Sequence, residues 1–292
     1  MAGNSNLIPL IYGLLAAFSW GTHGIIIRYL SSDMNGLTSA TLRLYIGALT
    51  LFVILKIRGH TERINIKDRS FLLITLALAV NFVLFHVGLD DTSASNAVML
   101  ENTAPIFVVI FLFVIFREKV RLMEGVAVIA TVIGVYLTVR HDLEIGGKGL
   151  LGDGIEILAG VTWAIFMMMS SRWLSTSSGA LERINYLFYI FLGAALMLTP
   201  FTFFYPFSID GNDVVWLLVL GIFPTAIGYY LWYEAAARVS TITASLLFTL
   251  TVIFTFINAA IFLGEEMTVD MISGAVLIVI GIVVSRISAA RK

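Results

Sequence analysis

The chain of 292 residues contains no cysteine, which excludes disulfide bonds, thiolate metal sites and cysteine nucleophiles. Charged residues are also scarce: they make up 13% of the chain, about half the share of about 25% found in soluble domains. Hydrophobic residues make up 59%, and this composition argues against a water-soluble fold. The net charge of −1 offers no strongly basic surface, so we expect no nucleic-acid partner.

Motifs for catalysis and for nucleotide binding are missing as well. The sequence has no G-x-x-x-x-G-K-[ST] stretch, so the chain cannot use ATP through a P-loop. It also has no H-E-x-x-H and no G-x-S-x-G stretch, which are motifs of zinc proteases and of serine hydrolases. We therefore expect no catalytic residues, no metal site and no cofactor.

Long apolar segments are what the chain has instead. A transmembrane helix needs roughly 20 mostly apolar residues, and ten segments meet this need, with short loops between them. The predicted fold class is an all-α integral membrane protein. The ten predicted spans are Leu7–Tyr29, Leu37–Ile57, Ser70–Leu89, Ala94–Phe116, Leu122–Val139, Leu150–Trp173, Ile184–Phe204, Val214–Ala237, Thr241–Leu263 and Val269–Ile287.

Lysine and arginine are distributed unevenly between the two sides of these spans. Fourteen of the 18 fall on one side, within residues 56–69, 117–121, 172–183, 238 and 286–292. The other side has only Arg28, Arg140 and Lys148, and Arg43 lies inside a span. Because cytoplasmic loops are the basic ones, this asymmetry predicts that both termini are cytoplasmic. A prokaryotic cell membrane is the expected location.

The sequence repeats weakly at half its length. Gly134 and Gly281 are 147 residues apart, and the stretch around Trp20 matches the stretch around Trp163 with a slip of four residues. Such periodicity indicates an internal structural repeat.

The repeat divides the chain into residues 1–145 and 146–292, with five predicted spans in each half. An odd number of spans inverts the second copy relative to the first. Inverted repeats are typical of secondary transporters, which bind their substrate near the middle of the membrane, where the repeats meet.

Several short motifs resemble a known family when they are taken in order. Together they resemble the EamA-type carriers of the drug/metabolite transporter superfamily, and the resemblance covers the whole chain. It implies ten spans arranged as five plus five, and a carrier of small metabolites such as amino acids or drugs. The motifs are Ser19-Trp20-Gly21, Leu42-Arg43-Leu44, Thr92-Ser93-Ala94 with Ala104-Pro105 and Glu118, and Tyr230-Leu231-Trp232-Tyr233-Glu234-Ala235.

One departure from the family pattern concerns the ninth span. Val252 stands where the second half of the family often repeats the proline of the fourth span, which is Pro105 here. We therefore expect the ninth span to be straighter than the fourth.

A single carboxylate, Glu101, lies deep in the fourth predicted span. Pro105, one turn later, cannot donate to the carbonyl of Glu101, which leaves a free acceptor beside the carboxylate. Ionisable residues inside a membrane are costly and face the interior of the helix bundle. Glu101 is predicted to couple transport to protons or to bind a cation, and the alternative is a structural ion pair with Arg43.

Arg43 and two histidines lie within spans at similar depth. Arg43 could pair with Glu101, bind a substrate carboxylate, or extend its side chain to the lipid headgroups. His23 could form a proton relay with Glu101, because histidine titrates near neutral pH. For His23 and for His86 the alternative is a hydrogen-bonded structural role.

Deep aromatic residues complete the predicted site. Trp20 and Trp163 lie too deep to anchor the protein at the membrane surface, so we expect them to line a cavity rather than only to pack. Aromatic walls around a carboxylate suit an amine, through cation–π contact and charge pairing. The predicted substrate-binding residues are Trp20, His23, Arg43, Phe85, His86, Glu101, Asn102, Trp163, Tyr229, Trp232, Tyr233 and Phe248.

We predict a secondary active transporter that exports amino acids or related amines by alternating access, with Pro105 and Pro224 as hinges. The alternatives are an intramembrane enzyme, a channel, or a carrier of another solute such as drug cations or nucleosides. The expected partners are a small-molecule substrate and the lipid bilayer. The glycines of spans five and ten, including Gly134, suit close helix packing, either within a monomer or between the subunits of a homodimer.

Overall fold

A computed structural model describes residues 7–27, 29–31, 33–92, 94–140, 150–204, 207–264 and 267–290. Within these ranges the regular structure is helical throughout, with no β-strand, which confirms the all-α fold class. Arg28, Lys148, Arg291 and Lys292, four of the basic residues behind the predicted orientation, lie outside the described residues, as does Ser93 of the family motif.

Fourteen α-helices and one π-helical segment form the structure. The α-helices are α1 (Ile8–Gly21), α2 (His23–Ile27), α3 (Gly36–Ile57), α4 (Arg69–Asp91), α5 (Ala94–Glu101), α6 (Ala104–Val114), α7 (Leu122–Val139), α8 (Leu150–Leu174), α9 (Ala180–Thr202), α10 (Gly211–Leu220), α11 (Gly228–Ala236), α12 (Thr241–Phe248), α13 (Leu250–Leu263) and α14 (Val269–Ala290). The π-helical segment Gly221–Ile227 joins α10 to α11.

Nine helical stretches among the described residues are long and apolar enough to cross a membrane, and Leu122–Thr138 is a shorter apolar helix. Nine of the ten predicted spans coincide with these nine stretches to within a few residues, and the fifth predicted span coincides with the shorter helix. The nine are Ile8–Ile27, Gly36–Ile57, Arg69–Gly88, Ala97–Val114, Leu150–Leu174, Ala180–Thr202, Gly211–Ala236, Thr241–Phe262 and Val269–Ala289.

Four of these stretches are interrupted, and at each interruption a threonine hydroxyl turns back to a backbone carbonyl. The carbonyls of Ser19, Leu100 and Leu246 also accept the backbone N–H of the same threonine. The hydroxyl donors and the carbonyl oxygens that they reach are Thr22 to Ser19 at 2.7 Å, Thr103 to Leu100 at 2.5 Å, Thr225 to Leu220 at 2.8 Å and Thr249 to Leu246 at 2.7 Å.

The ninth span is interrupted although Val252 replaces the proline of the fourth. Its break falls at the single residue Thr249, whereas the fourth span is interrupted at Asn102 and Thr103. The interruption therefore recurs without a proline, and the threonine hydroxyl is the feature that both breaks share. That the ninth span is straighter than the fourth stays a prediction.

Helices from one half of the chain pack mainly on helices from the other half. The pair α3 and α9, the pair α4 and α8, and the pair α7 and α14 make extensive contacts, and α1 packs on α11 and α13. The shorter α5 and α6 both pack on α8. The core of the bundle therefore lies between residues 7–140 and residues 150–290.

Glycines set the spacing of α7 and α14. A Cβ atom built on Gly134 would lie 2.6 Å from the carbonyl oxygen of Gly274 and 2.9 Å from the side chain of Ile278. Only glycine allows the two backbones to approach this closely. Gly134 and Gly274 therefore serve the packing of two helices of one chain.

A buried ionic cluster joins the first turn of α9 to the end of α11. The Glu234 carboxylate is 2.9 Å from Nε of Arg183 and 2.7 Å from a terminal nitrogen of Arg238. Glu234 is 1% exposed and Arg183 is 8% exposed. The Arg238 side chain is 36% exposed, so one of the two cations is accessible to water and the other is not.

Candidate functional site

A cavity of about 410 Å³ opens within the bundle, where α1, α3, α4, α5, α8 and α11–α13 meet. Its volume lies within the range of roughly 300–1,000 Å³ that is typical of small-molecule sites. Ten of the twelve residues predicted to bind substrate line it, namely Trp20, His23, Arg43, Phe85, His86, Glu101, Asn102, Trp163, Tyr229 and Phe248.

Arg43 and Glu101 give the wall of the cavity one cation and one anion. No ion pair joins these two side chains within 4 Å, although both belong to the described residues. The pairing that the sequence left open is therefore not made in this structure, and each group has other partners.

Arg43 is held by an imidazole and by a phenyl ring. One of its terminal nitrogens contacts Nε2 of His23, and its guanidinium carbon lies 4.5 Å from the centre of the Phe82 ring. Because arginine only donates hydrogen bonds, Nε2 of His23 is the acceptor and the imidazole is neutral. No hydrogen bond joins His23 to Glu101 in this structure, and the relay between them stays a prediction.

Glu101 is held by an asparagine that the sequence analysis did not single out. The side-chain amide of Asn81 donates to the Glu101 carboxylate at 3.3 Å and to the carbonyl oxygen of Ala159 at 3.0 Å. Asn81 is 3% exposed and lies in the middle of α4. It therefore ties the end of α5 to the backbone of α8.

His86 has a structural partner. Its Nδ1 donates to the carbonyl oxygen of Phe82 at 2.7 Å, and its ring meets Phe85 edge to face, with 5.6 Å between the ring centres. A Cβ atom on Gly36 would overlap the imidazole. The ring is thus fixed in place, with one edge on the cavity wall.

Four aromatic side chains form one apolar cluster of the wall. The centre of the Trp20 ring lies 6.1 Å from that of Trp163, 5.1 Å from that of Tyr229 and 5.7 Å from that of Phe248. Edge-to-face contacts at these distances are the geometry that aromatic pairs prefer. Trp163 also stacks on Phe166, with ring centres 5.0 Å apart, so the aromatic wall is braced from behind.

Trp232 and Tyr233 are not on the wall, although the sequence analysis included them. Nε1 of Trp232 donates to the carbonyl oxygen of Ala244 at 3.2 Å, and the Tyr233 hydroxyl is 3.2 Å from the hydroxyl of Ser170. Both side chains are at most 1% exposed. They form a layer of packing behind Tyr229, which itself lines the cavity.

Several side chains that line the cavity have buried polar atoms with no hydrogen-bond partner within the protein. Buried polar groups are normally satisfied, so each exception calls for an explanation. These atoms have almost no accessible surface in this structure, so a ligand in the cavity would reach them only after the side chains move. The atoms are Nε1 of Trp20, Nε of Arg43, Oδ1 of Asn102, Nε1 of Trp163 and the hydroxyl oxygen of Thr251.

Another buried carboxylate lies close to the cavity residues along the chain. Glu156 in α8 is 0% exposed, and it was not among the residues singled out from the sequence. Neither of its carboxylate oxygens has a hydrogen-bond partner, and it does not line the cavity. Glu156 lies six residues after the start of α8, one turn before Ala159-Gly160 and two turns before Trp163. This position is the signal that could have identified it.

The two predicted hinge prolines lie at helix interruptions. Pro105 is at the start of α6, directly after the break at Asn102 and Thr103. Pro224 lies inside the π-helical segment and lines the cavity. No group of three or more His, Asp or Glu residues in the described part of the chain is placed to hold a metal ion.

Comparisons with known proteins agree with this architecture. The profile of the EamA-like transporter family matches residues 7–140 and, a second time, residues 150–287. A solved crystal structure superposes with a TM-score of 0.82 at 15% identity, covering 97% of this chain and 98% of the other. At that identity the likeness concerns the fold alone.

Full-length relatives carry transporter names. An uncharacterized transporter of Clostridium kluyveri is 26% identical, over 94% of this chain and 92% of the relative. The uncharacterized transporter YoaV of Bacillus subtilis is 22% identical, over 98% and 99%. The threonine/homoserine exporter RhtA of Salmonella typhimurium is 24% identical, over 92% and 89%.

Proposed function

The chain belongs to the EamA-like transporter family, and from this premise we propose that it is a secondary active carrier that exports zwitterionic amino acids. It is a multi-pass protein of the cell membrane. One observation carries the substrate class: the cavity wall presents one guanidinium and one carboxylate, Arg43 and Glu101, which are not paired with each other.

We propose that the ten helical stretches are two inverted five-helix repeats, residues 1–145 and 146–292, with both termini in the cytoplasm. The two separate family matches support the repeat. The packing supports it too, because α3 with α9 and α7 with α14 pair equivalent helices of the two halves. Rocking one half against the other would then expose the cavity to each side of the membrane in turn.

A free amino acid matches the charges of the cavity. Its α-carboxylate would accept hydrogen bonds from Arg43, whose Nε has no partner in the protein. Its ammonium group would donate to Glu101 and to Oδ1 of Asn102, which is also without a partner because the Asn102 amide nitrogen donates to Val98. An apolar or aromatic side chain would lie against Trp20 and Trp163.

The expected energies are sizeable. A hydrogen bond to a charged group contributes about 1.5–3 kcal/mol. Removing either charge from the site should therefore weaken the binding of an amino acid by roughly 10- to 150-fold. A drug cation or an amine is the second candidate, because Glu101 and the aromatic wall suit it; such a ligand would leave Arg43 without an anion.

The test compares phenylalanine with 2-phenylethylamine, which lacks the carboxylate, and 3-phenylpropionate, which lacks the amine. Purified protein in liposomes without ATP should exchange labelled phenylalanine, and threonine as a second probe, and should exchange both truncated analogues poorly. Arg43→Gln should reduce phenylalanine exchange and leave 2-phenylethylamine exchange unchanged. Glu101→Gln should reduce phenylalanine exchange and leave 3-phenylpropionate exchange unchanged.

The matched controls are Arg172→Gln and Glu118→Gln, which break an ion pair of 2.6 Å between half-exposed side chains outside the cavity. They should transport as wild type does. If the wild type exchanges 2-phenylethylamine in preference to phenylalanine, the substrate is an amine rather than an amino acid. A covalent product without net movement across the membrane would instead favour an enzyme, and ion flux without saturation would favour a channel.

A further inference from the structure

Glu156 is an ionisable residue whose surroundings offer nothing to stabilise its charged form. It is 0% exposed, and both of its carboxylate oxygens lack a hydrogen-bond donor. Its carboxylate lies directly against Gly88 of α4, where a Cβ atom would be 2.8 Å from Cδ of Glu156. An isolated carboxylate in such surroundings is very costly when ionised and much less costly when it carries a proton.

The titratable side chains on the helices packed against Glu156 offer no cation to neutralise it. Four of those named here are carboxylates, which would oppose its ionisation. On α4 they are Arg69, His86 and Asp91, on α5 Glu101, on α8 itself Asp153 and Arg172, and on α11 Tyr229, Tyr230, Tyr233 and Glu234, while α6 and α12 contribute none. Arg69 lies at the opposite end of α4 from Gly88. Of these, Arg172 lies more than four turns away along α8 and pairs with Glu118, and His86 donates to a backbone carbonyl.

The contact between α4 and α8 is what buries Glu156. Gly88 makes room for its carboxylate, and Gly152 lets the start of α8 reach the end of α4, where a Cβ atom would lie 2.6 Å from the carbonyl carbon of Asp91. At the same end, the hydroxyl of Thr92 donates to Asp153 at 2.5 Å. Separation of α4 and α8 would open this junction and hydrate Glu156.

We propose that Glu156 is a proton-binding site whose occupancy is linked to the closure of α4 on α8. The carboxylate takes one proton from water while the junction is open, and the neutral acid is then buried as the junction closes. On reopening the O–H bond breaks and the proton returns to water. Linkage requires the reverse effect as well: low pH favours the closed junction, and high pH favours the open one.

Glu156 is placed to act together with the substrate cavity. The next turn of α8 carries Ala159, whose carbonyl accepts from Asn81, and Asn81 also holds Glu101. A Cβ atom on Gly160 would lie 3.0 Å from the carbonyl oxygen of Leu100. Opening of α4 from α8 therefore disturbs the hydrogen bonds of Glu101, so a proton at Glu156 would be coupled to substrate release if the chain is the carrier proposed above.

The position related to Glu156 in the first half has no carboxylate. With the offset of 143 that aligns Trp20 with Trp163, Glu156 falls on Gly13, which packs against Leu247. The shared fold therefore does not require an acid here. This difference between the two halves indicates that the carboxylate serves transport rather than the stability of the fold.

The closing experiment has a spectroscopic arm that needs no substrate. Infrared difference spectra between the wild type and Glu156→Gln in lipid at neutral pH should contain the carbonyl stretch of a protonated carboxylic acid. Glu124→Gln is the control, because Glu124 is also buried but accepts a backbone hydrogen bond from Arg121 at 2.9 Å. Carboxylate bands in place of the acid band for Glu156 would overturn the proposal.

The second arm measures the junction directly, and the absence of native cysteine makes it simple. Spin labels on cysteines introduced at Val87 of α4 and Leu151 of α8, both exposed, should report a larger open population as pH rises. In a Glu156→Gln background this pH response should disappear, while in Glu124→Gln it should remain. A pH response that survives in Glu156→Gln would refute the linkage.

A transport measurement separates this proposal from the one on which it rests. Glu156→Gln should still exchange labelled phenylalanine but should no longer move protons during net transport, as read by a pH-sensitive dye inside the liposomes. Wild-type transport without any proton movement would overturn the role of Glu156 and would leave the proposed carrier function intact. Wild-type protein that moves no amino acid would overturn the amino-acid carrier, and the two spectroscopic arms would still decide the proton site.

Discussion

Replacing Glu234 by glutamine should destabilise the protein severely, although the two side chains have nearly the same shape. Glu234 is the only carboxylate within 4 Å of Arg183 among the described residues, and Arg183 is 8% exposed. Glu234→Gln would leave that guanidinium buried without a counter-charge. Breaking a buried ion pair from one side costs about 3–5 kcal/mol. For a chain of this size about 1 kcal/mol lowers the melting temperature by about 2–4 °C, so we expect a loss of roughly 6–20 °C.

The assay is thermal unfolding of the detergent-solubilised protein, followed by the loss of the monodisperse fraction in size-exclusion chromatography. Glu118→Gln is the matched control, because its ion pair with Arg172 is half exposed and such pairs contribute only about 0–1 kcal/mol. A double variant, Arg183→Leu with Glu234→Leu, should recover most of the loss, since it removes both charges together. Equal melting temperatures for Glu234→Gln and Glu118→Gln would refute the reasoning.

Three further predictions concern packing, the cavity and the helix breaks. Gly134→Val should cost about 1–3 kcal/mol through overpacking against α14, whereas Gly125→Val, in a position with open space around it, should change the melting temperature little; equal effects would contradict the close α7–α14 contact. Trp163→Phe keeps a ring on Phe166 but removes part of the aromatic wall, so phenylalanine affinity should fall by up to roughly tenfold; because Trp163 is 3% exposed, the melting temperature should fall as well, and unchanged affinity would remove Trp163 from the substrate contacts. Pro105→Ala should transport at close to the wild-type rate, because the ninth span breaks without a proline; a large loss of rate would make Pro105 a hinge in its own right.

The sequence predicted the spans well because membrane crossing depends on the length of an apolar segment, and length can be read directly. The helix α8 begins at Leu150, as predicted, and ends at Leu174, one residue after the predicted end. The interruptions were harder to foresee. At the break in the ninth span the Thr249 hydroxyl turns back to a carbonyl three residues earlier, and the average hydrophobicity of a segment contains no trace of that bond.

The cavity could be predicted in part. Trp20 and Trp163 stood out because both are too deep for the membrane surface, and both line the cavity. Trp232 did not follow, because its indole turns to the carbonyl oxygen of Ala244, a neighbour that the sequence does not reveal. The π-helical segment Gly221–Ile227 precedes it along the chain.

The missed polar residues show a different limit. Asn81 and Glu156 each lie inside a predicted span, but a single sequence gives only the depth of a residue and not the neighbour that it faces. Asn81 matters because it bridges Glu101 and α8. Glu156 matters because Gly88 leaves space for its carboxylate. Both relationships arise between helices that are distant in the chain.

The contact between Trp20 and Trp163 gives the protein a built-in optical reporter. The chain has five tryptophans, and these two line the cavity with 6.1 Å between their ring centres. Their emission and their near-ultraviolet circular dichroism will respond to whatever enters between or beside them. Titration of the unlabelled protein with candidate solutes can therefore register occupancy of the cavity by ultraviolet light alone, before any flux is measured.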